Sequence, residues 1–494
     1  MIGMQLHARS LDKHGNFPTT YTTLPSDTHS QNKMEVRVRV SDRLLKYLSH
    51  ILLFCLTCAI VYGINPQLIT SLEGHKGCIN MLPFALLFIA SYVGSEVASF
   101  IFLPKVLGMI VAGIVVRNTT DLRFDLLICS LLRNIALTAI LLEGGLGLDL
   151  AKVARSSGTA LSLCFVPLLT DVVVMGILSF FVLGLPYVWS FMMGFILSAA
   201  CAGIIVPFMI QVGKRGLGTE KAIPTIVLTA ASMDDVIAIS GFGIMMGFAF
   251  PGPVDEGSEI WTYARGPVEI LCGIGIGLTY GSFIGILPME TLYKEDHWGR
   301  GNLMRTSLLL IGGLGSVFFF DRMDLRGAGP LSALTLALFA ASRFRKNDVD
   351  VEQLSTNIHV IWSLTSPLFF ALIGTEADLR QDFFHSDNQL MACIGVVVVG
   401  MMVRVLATFV SLSCSNLNFK EKIYISIVWL AKAAVQATVA PIALDVARDK
   451  GLKLEIGYAM TIVVVSLIAI LISAPISTLA MTLLADVCLK QRAV

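Results

Sequence analysis

The chain has 494 residues, of which 55% are apolar and only 14% charged, against about a quarter charged in an ordinary soluble domain. Thirty-six Lys and Arg nearly balance thirty-five acids, so there is no basic excess to attract nucleic acid and no acidic tail to keep a chain unfolded. Apolar runs recur from Tyr47 almost to the C-terminus and leave no polar block that could fold alone, which predicts a single all-α polytopic membrane domain.

Residues 1–45 are polar, rich in Thr, Ser and His, and lack the apolar core and cleavage site of a signal peptide; they read as a retained cytoplasmic tail. A spanning helix needs about 20 mostly apolar residues. By that measure the chain holds about fourteen candidates, at 47–69, 79–101, 103–116, 127–147, 157–183, 187–211, 222–250, 266–289, 304–320, 328–342, 358–376, 389–413, 421–446 and 455–486. Residues 46–70 form an extra N-terminal helix ahead of the domain proper, 79–486, and 487–494 form a short cytoplasmic tail. Of the ten cysteines, Cys55, Cys58, Cys129, Cys164, Cys201, Cys272, Cys393 and Cys488 lie in or beside apolar runs, where a buried thiol is the expectation and not a disulfide framework.

Alternating these spans from a cytoplasmic N-terminus puts 21 Lys and Arg on the inner side and 10 on the outer. Lys33, Arg37, Arg39, Arg43 and Lys46 lead the inner set. A false segmentation would scatter these charges evenly, so the bias supports an even number of spans with both termini in the cytoplasm. The sequon Asn118-Thr119-Thr120 then falls in a short outer loop.

Ionisable residues inside a span are costly and mark functional positions. The deepest here are Asp171, the adjacent pair Asp234 and Asp235, Arg404 and Lys432, with Glu96, Arg133 and Glu143 nearer the span ends. Neighbours on a helix point about 100° apart, so Asp234 and Asp235 cannot both hide on one packed face, and at least one should reach a cavity. In low dielectric a carboxylate pair holds protons at moderate pH and releases them to a small hard cation, so protons and cations compete for one site. Oxygen ligands suit Na⁺ or Li⁺, and no Cys or His cluster nearby suits a transition metal. Two spans are interrupted, 187–211 by Ser198, Gly203 and Pro207 and 421–446 by Lys432, Gln436, Thr438 and Pro441. Interrupted helices at matching places in two halves point to a transporter's midplane site.

Five segments resemble those of the monovalent cation/proton antiporters, most closely the animal NHA branch related to NapA and NhaA. Leu103-Pro104-Lys105-Val106-Leu107-Gly108 with Ala112-Gly113 is similar to the family's "LPxVLGxxxAG" motif, and Ala231-Ser232-Met233-Asp234-Asp235-Val236 to its ion-binding helix. Pro367-Leu368-Phe369-Phe370 with Ile373-Gly374 resembles "PLFFxxxG", Arg404-Val405-Leu406 the basic helix before the second crossover, and Ala431 to Ala437 that crossover itself. The resemblance implies an NhaA-like fold of two inverted repeats with crossed broken helices. It also implies a core of about 157–250 and 389–486 that moves by an elevator-like motion against a dimerising scaffold of about 79–147 and 266–376. Asp235 would then be the principal carboxylate for Na⁺ (or Li⁺) and H⁺, Asp234 its helper, and Asp171 the partner of Arg404. No cofactor is implied; the partners would be the transported ions, membrane lipids and a second copy of the chain, in the plasma membrane or an organelle membrane.

Two departures stand out. The first crossover reads Ala199-Ala200-Cys201-Ala202-Gly203 in place of a Ser-Pro or Asp-Pro, so backbone carbonyls would have to supply more of the site; Glu143 stands where the family normally has Arg. An intramembrane aspartyl protease also needs two carboxylates, but on facing helices, where they share a proton, and adjacent residues on one helix cannot meet that way. The remaining alternatives keep the fold with K⁺/proton or anion/proton exchange, a bile-acid-like symport, or no transport.

Overall fold

In lipid, backbone N–H and C=O groups find no water, so each spanning segment must satisfy them internally. The computed structural model describes residues 82–101, 103–120, 122, 124–148, 158–250, 259–287, 300–323, 325, 327–347, 349–378 and 387–489. The tail 1–45 and the first predicted span, 47–69, lie outside them. The described residues form α1 (Leu82–Phe100), α2 (Lys105–Thr119), α3 (Leu126–Gly147), α4 (Gly158–Val182), α5 (Tyr187–Ser198), α6 (Ala202–Lys214), α7 (Ile223–Ala249) and α8 (Glu259–Ile286). There follow α9 (Arg300–Arg322), α10 (Ala328–Lys346), α11 (Val351–Gly374), α12 (Asp387–Ser411), α13 (Phe419–Val428), α14 (Ala434–Asp449) and α15 (Lys453–Cys488).

Each predicted span from the second onward coincides with a helix, or at 187–211 and 421–446 with two half-helices. Among the described residues, length and apolarity qualify ten segments to cross a membrane, α5 and α6 counting as one. Of the fourteen, 47–69 lies outside the described residues, and three others fall short for physical reasons. Among the described helices, α2 has only 15 residues, α13 and α14 are halves of 10 and 16, and α10 ends in Arg343, Arg345 and Lys346. Helix α11 begins seven residues before its apolar stretch because the Asp350 side chain caps it, accepting from the N–H groups of Glu352 and Gln353.

Packing sorts these helices into two groups. Helices α4 and α5 pack together and on α7, α12 packs on α4, and α13 and α14 pack on α15. In the second group α8 packs along α10, α3 and α9 flank α10, and α11 contacts α1, α2 and α3. The α2–α11 contact explains two of the glycine motifs. A Cβ on Gly113 would lie 2.1 Å from the Ala371 oxygen and one on Gly374 2.2 Å from the Ile110 oxygen, so only glycine permits this approach. The outer faces carry exposed Phe181, Leu271, Ile311, Leu406 and Leu483, a surface made for lipid.

Buried thiols are found at Cys129, Cys164, Cys201 and Cys393, whereas Cys272 and Cys488 are half-buried and Cys414 is exposed; all seven are free. Cys55 and Cys58 lie outside the described residues.

Candidate functional site at the crossing of two interrupted helices

The first interruption falls at Ala199–Cys201, between α5 and α6, and the second at Trp429–Ala433, between α13 and α14. Ser198 closes α5 and Lys432 lies inside the second break, but Gly203 and Pro207 are helical within α6, and Gln436, Thr438 and Pro441 are helical within α14. Both breaks overlap the segments the sequence reads as crossovers, 199–203 and 431–437, although Gly203, Pro207, Gln436, Thr438 and Pro441 are not themselves the points of unwinding. The reason is one of supply. A helix unwinds in an apolar interior where other donors can replace the lost N–H partners of its carbonyls, not simply where Gly or Pro weakens it.

Those donors come from the second half of the chain. Gln436 Nε2 donates to the carbonyls of Ile196 at 3.0 Å and Ala199 at 2.8 Å. Lys432 Nζ donates to the Leu197 oxygen and Arg404 Nη1 to the Ser198 oxygen. Two cations at the C-terminal end of α5 also meet the negative pole of its dipole. The last-turn carbonyls of α5 are therefore engaged by protein donors. The two breaks also join directly, since the Cys201 N–H donates to the Ala431 oxygen at 2.7 Å and the Ala434 N–H to Cys201 Sγ at 3.4 Å.

Around this crossing the predicted charges converge. Arg404 Nη1 donates to Asp171 Oδ2 at 2.6 Å, its Nε to the Trp429 oxygen at 2.8 Å, and its Nη2 lies 3.5 Å from Asp234 Oδ2. Lys432 Nζ approaches the same Asp171 oxygen at 3.3 Å. Asp234 is fully buried, and its Oδ2 accepts the Ala200 N–H at 2.6 Å. Asp235, one residue on, is half-buried and makes no hydrogen bond or ion pair among the described residues; its Oδ1 is a buried acceptor without a partner, as is Oδ1 of Asp234. Adjacent carboxylates thus have opposite circumstances, one held and one uncommitted.

A second charge cluster escaped the sequence reading. Arg133 on α3 donates to Asp445 on α14, through Nε at 2.9 Å and through Nη2, and lies 3.2 Å from Glu376, just past α11. Arg448 on α14 donates to the same Glu376 at 2.9 Å. Only Arg133 stood out in the sequence, because Glu376, Asp445 and Arg448 occupy span ends where charge is unremarkable. A cavity beside the cluster is lined by Ser130, Asn134 and Asp321 on one side and by Thr438, Ile442 and Asp445 of α14 on the other. Glu143 pairs with His359 at 2.9 Å, both partly exposed, and Glu96 with Lys105 at 2.8 Å near the surface.

Among the described residues the chain is helical, and two interrupted helices meet over buried carboxylates, the arrangement of an integral multi-pass membrane transporter. The profile of the family described as "Sodium/hydrogen exchanger, transmembrane" matches residues 84–482, and the chain belongs to that family. Among curated proteins it is 33% identical over 415 residues to human sodium/hydrogen exchanger 9B2, covering 82% of this chain and 74% of that one. It is 31% identical over 506 residues to the 9B2 exchanger of Bison bison bison, covering 98% and 89%. With human exchanger 9B1 it shares 30% over 415 residues, covering 82% and 77%. The solved sodium proton antiporter MjNhaP1 of Methanocaldococcus jannaschii, at 17% identity, aligns with a TM-score of 0.64 over 82% of this chain and 97% of that one, a likeness of fold.

Proposed function

We propose that this protein is a secondary active antiporter that exchanges Na⁺, or Li⁺ in its place, for H⁺, with Asp234 and Asp235 as the shared cation and proton site. The observation that carries this reading is the uncommitted carboxylate of Asp235 beside a partnered Asp234. A half-buried carboxylate with an unpartnered buried oxygen stays neutral by holding a proton or pairs with a cation, and alternation between those states is exchange. Arg404 and Lys432 are already engaged with Asp171, so neither is free to satisfy Asp235 permanently.

The two packing groups supply the moving parts. Helices α4–α7 and α12–α15 form a core that carries the crossing, and α1–α3 with α8–α11 form a scaffold that dimerises. The core slides against the scaffold in an elevator-like motion between cytoplasmic and outer openings. Arg133, Glu376, Asp445 and Arg448 tie α3 and the end of α11 to α14, and these contacts have to part in each cycle. Fourteen spans, related as inverted repeats, place both termini in the cytoplasm of a cell whose plasma membrane or organelle membrane holds the protein.

The test is proton flux in proteoliposomes containing the full chain, driven in turn by Na⁺, Li⁺ and K⁺ gradients. Na⁺- or Li⁺-driven flux supports the reading. Flux driven by K⁺ alone, or by anions alone, overturns the cation assignment, and no flux with any gradient overturns exchange.

A further inference from the structure

The carbonyl of Ala199 and the N–H of Ala200 belong to one peptide unit, which is rigid and planar. Its oxygen accepts from Gln436 Nε2 at 2.8 Å, and its N–H donates to Asp234 Oδ2 at 2.6 Å. Gln436, in the first turn of α14, thus holds from behind the peptide that holds Asp234 from in front. Its second Nε2 hydrogen goes to the Ile196 oxygen, which anchors the amide plane to the last turn of α5. The residues on either side, Ala199 and Cys201, are extended and not helical, so no helix ladder fixes this peptide plane. The Ala199 side chain is a single methyl and cannot do so.

We propose that Gln436 is a positioning residue for the cation site, acting on Asp234 through the Ala199–Ala200 peptide. Without its amide donor the peptide is free to rotate, the Ala200 N–H leaves Asp234, and the Ala199 oxygen turns toward the carboxylate it now repels. Cation affinity falls while the transport machinery stays assembled. The inference rests on the proposed role of Asp234 in the cation site, and it adds that the geometry of one repeat's carboxylate is set by a side chain from the other.

Gln436→Met keeps the length and buried volume and removes the donor. In proteoliposomes its apparent KM for Na⁺ should rise about tenfold, the order expected when a charged group loses a hydrogen bond, with the maximal rate changed by less than about threefold. Added to Asp234→Ala, which removes the acceptor, the same change should alter KM by less than about twofold, because the contact it supports is already lost. Gln436→Leu, which likewise carries no donor, should match Gln436→Met, and the Na⁺-dependent rise in unfolding temperature reads affinity in any variant too slow for flux. A KM equal to wild type in either folded variant overturns the proposal, as does an equal KM increase with and without Asp234. Absence of Na⁺-driven flux in the wild-type protein would instead overturn the exchange function, so the two failures are distinguishable.

Discussion

Asp171 and Lys432 stand 261 residues apart in the chain and meet at 3.3 Å across the crossing, on the same carboxylate oxygen that Arg404 holds at 2.6 Å. One carboxylate therefore serves two buried cations. Asp234, 3.5 Å from Arg404, offsets part of the remaining charge. Two cations, Asp171 and Asp234 leave the cluster close to neutral, which is the condition a low-dielectric interior demands.

That sharing predicts a specific pattern of stability. Asp171→Ala strands two cations and should cost more than Arg404→Ala, each within or above the roughly 3–5 kcal/mol typical of breaking a buried pair. The double variant Asp171→Ala/Arg404→Ala should recover less than a simple pair would, since Lys432 is still left without its partner. Thermal unfolding of the purified single and double variants checks this. Strict additivity, within about 0.5 kcal/mol, would show that the residues do not interact in the folded protein.

Asp235→Asn should abolish Na⁺-driven proton flux while the protein keeps its unfolding temperature, because Asn preserves shape, loses the titrating charge and breaks no existing bond. Asp234→Asn should be milder in flux and costlier in stability, since Asp234 is fully buried and already bonded to the Ala200 N–H. Flux and melting curves measured on the same preparations separate the two. Wild-type flux in Asp235→Asn, or complete loss only in Asp234→Asn, would reverse the assignment.

If protons and cations occupy one site, apparent Na⁺ affinity should weaken as pH falls, by up to about tenfold per pH unit once each cation must displace a bound proton. The sign is fixed by competition: acid adds the rival ligand. Exchange kinetics between pH 5.5 and 8.5 provide the measurement. An affinity independent of pH would exclude a shared site.

Asn118 should remain unglycosylated although its sequon is intact. Its Nδ2 donates to the Ile114 oxygen at 2.8 Å and to the Ala377 oxygen at 2.9 Å, so the nitrogen that would carry a sugar is committed to two backbone carbonyls. Protein from a glycosylating host should show no mobility change on glycosidase treatment. A shift that disappears in Asn118→Gln would disprove the arrangement.

Composition and spacing by themselves indicated a chain that lives in lipid, most of its helices, and which ionisable residues lie inside the spans. Those features are local, since lipid demands a long apolar run for each span and makes every charge within one conspicuous. Asp171, Asp234, Asp235, Arg404 and Lys432 were all visible on that ground. What the tertiary structure decided was who meets whom. The first helix stops at Ser198 because donors from a distant part of the chain, Arg404, Lys432 and Gln436, satisfy the carbonyls freed at its end. A carbonyl's partner more than 200 residues away leaves no mark on the local pattern. The same holds for Glu376, Asp445 and Arg448, whose charges look like ordinary helix ends until folding brings them onto Arg133. It holds most of all for Asp235, whose distinction from its neighbour lies in the hydrogen bond it lacks, and only packing in three dimensions determines that.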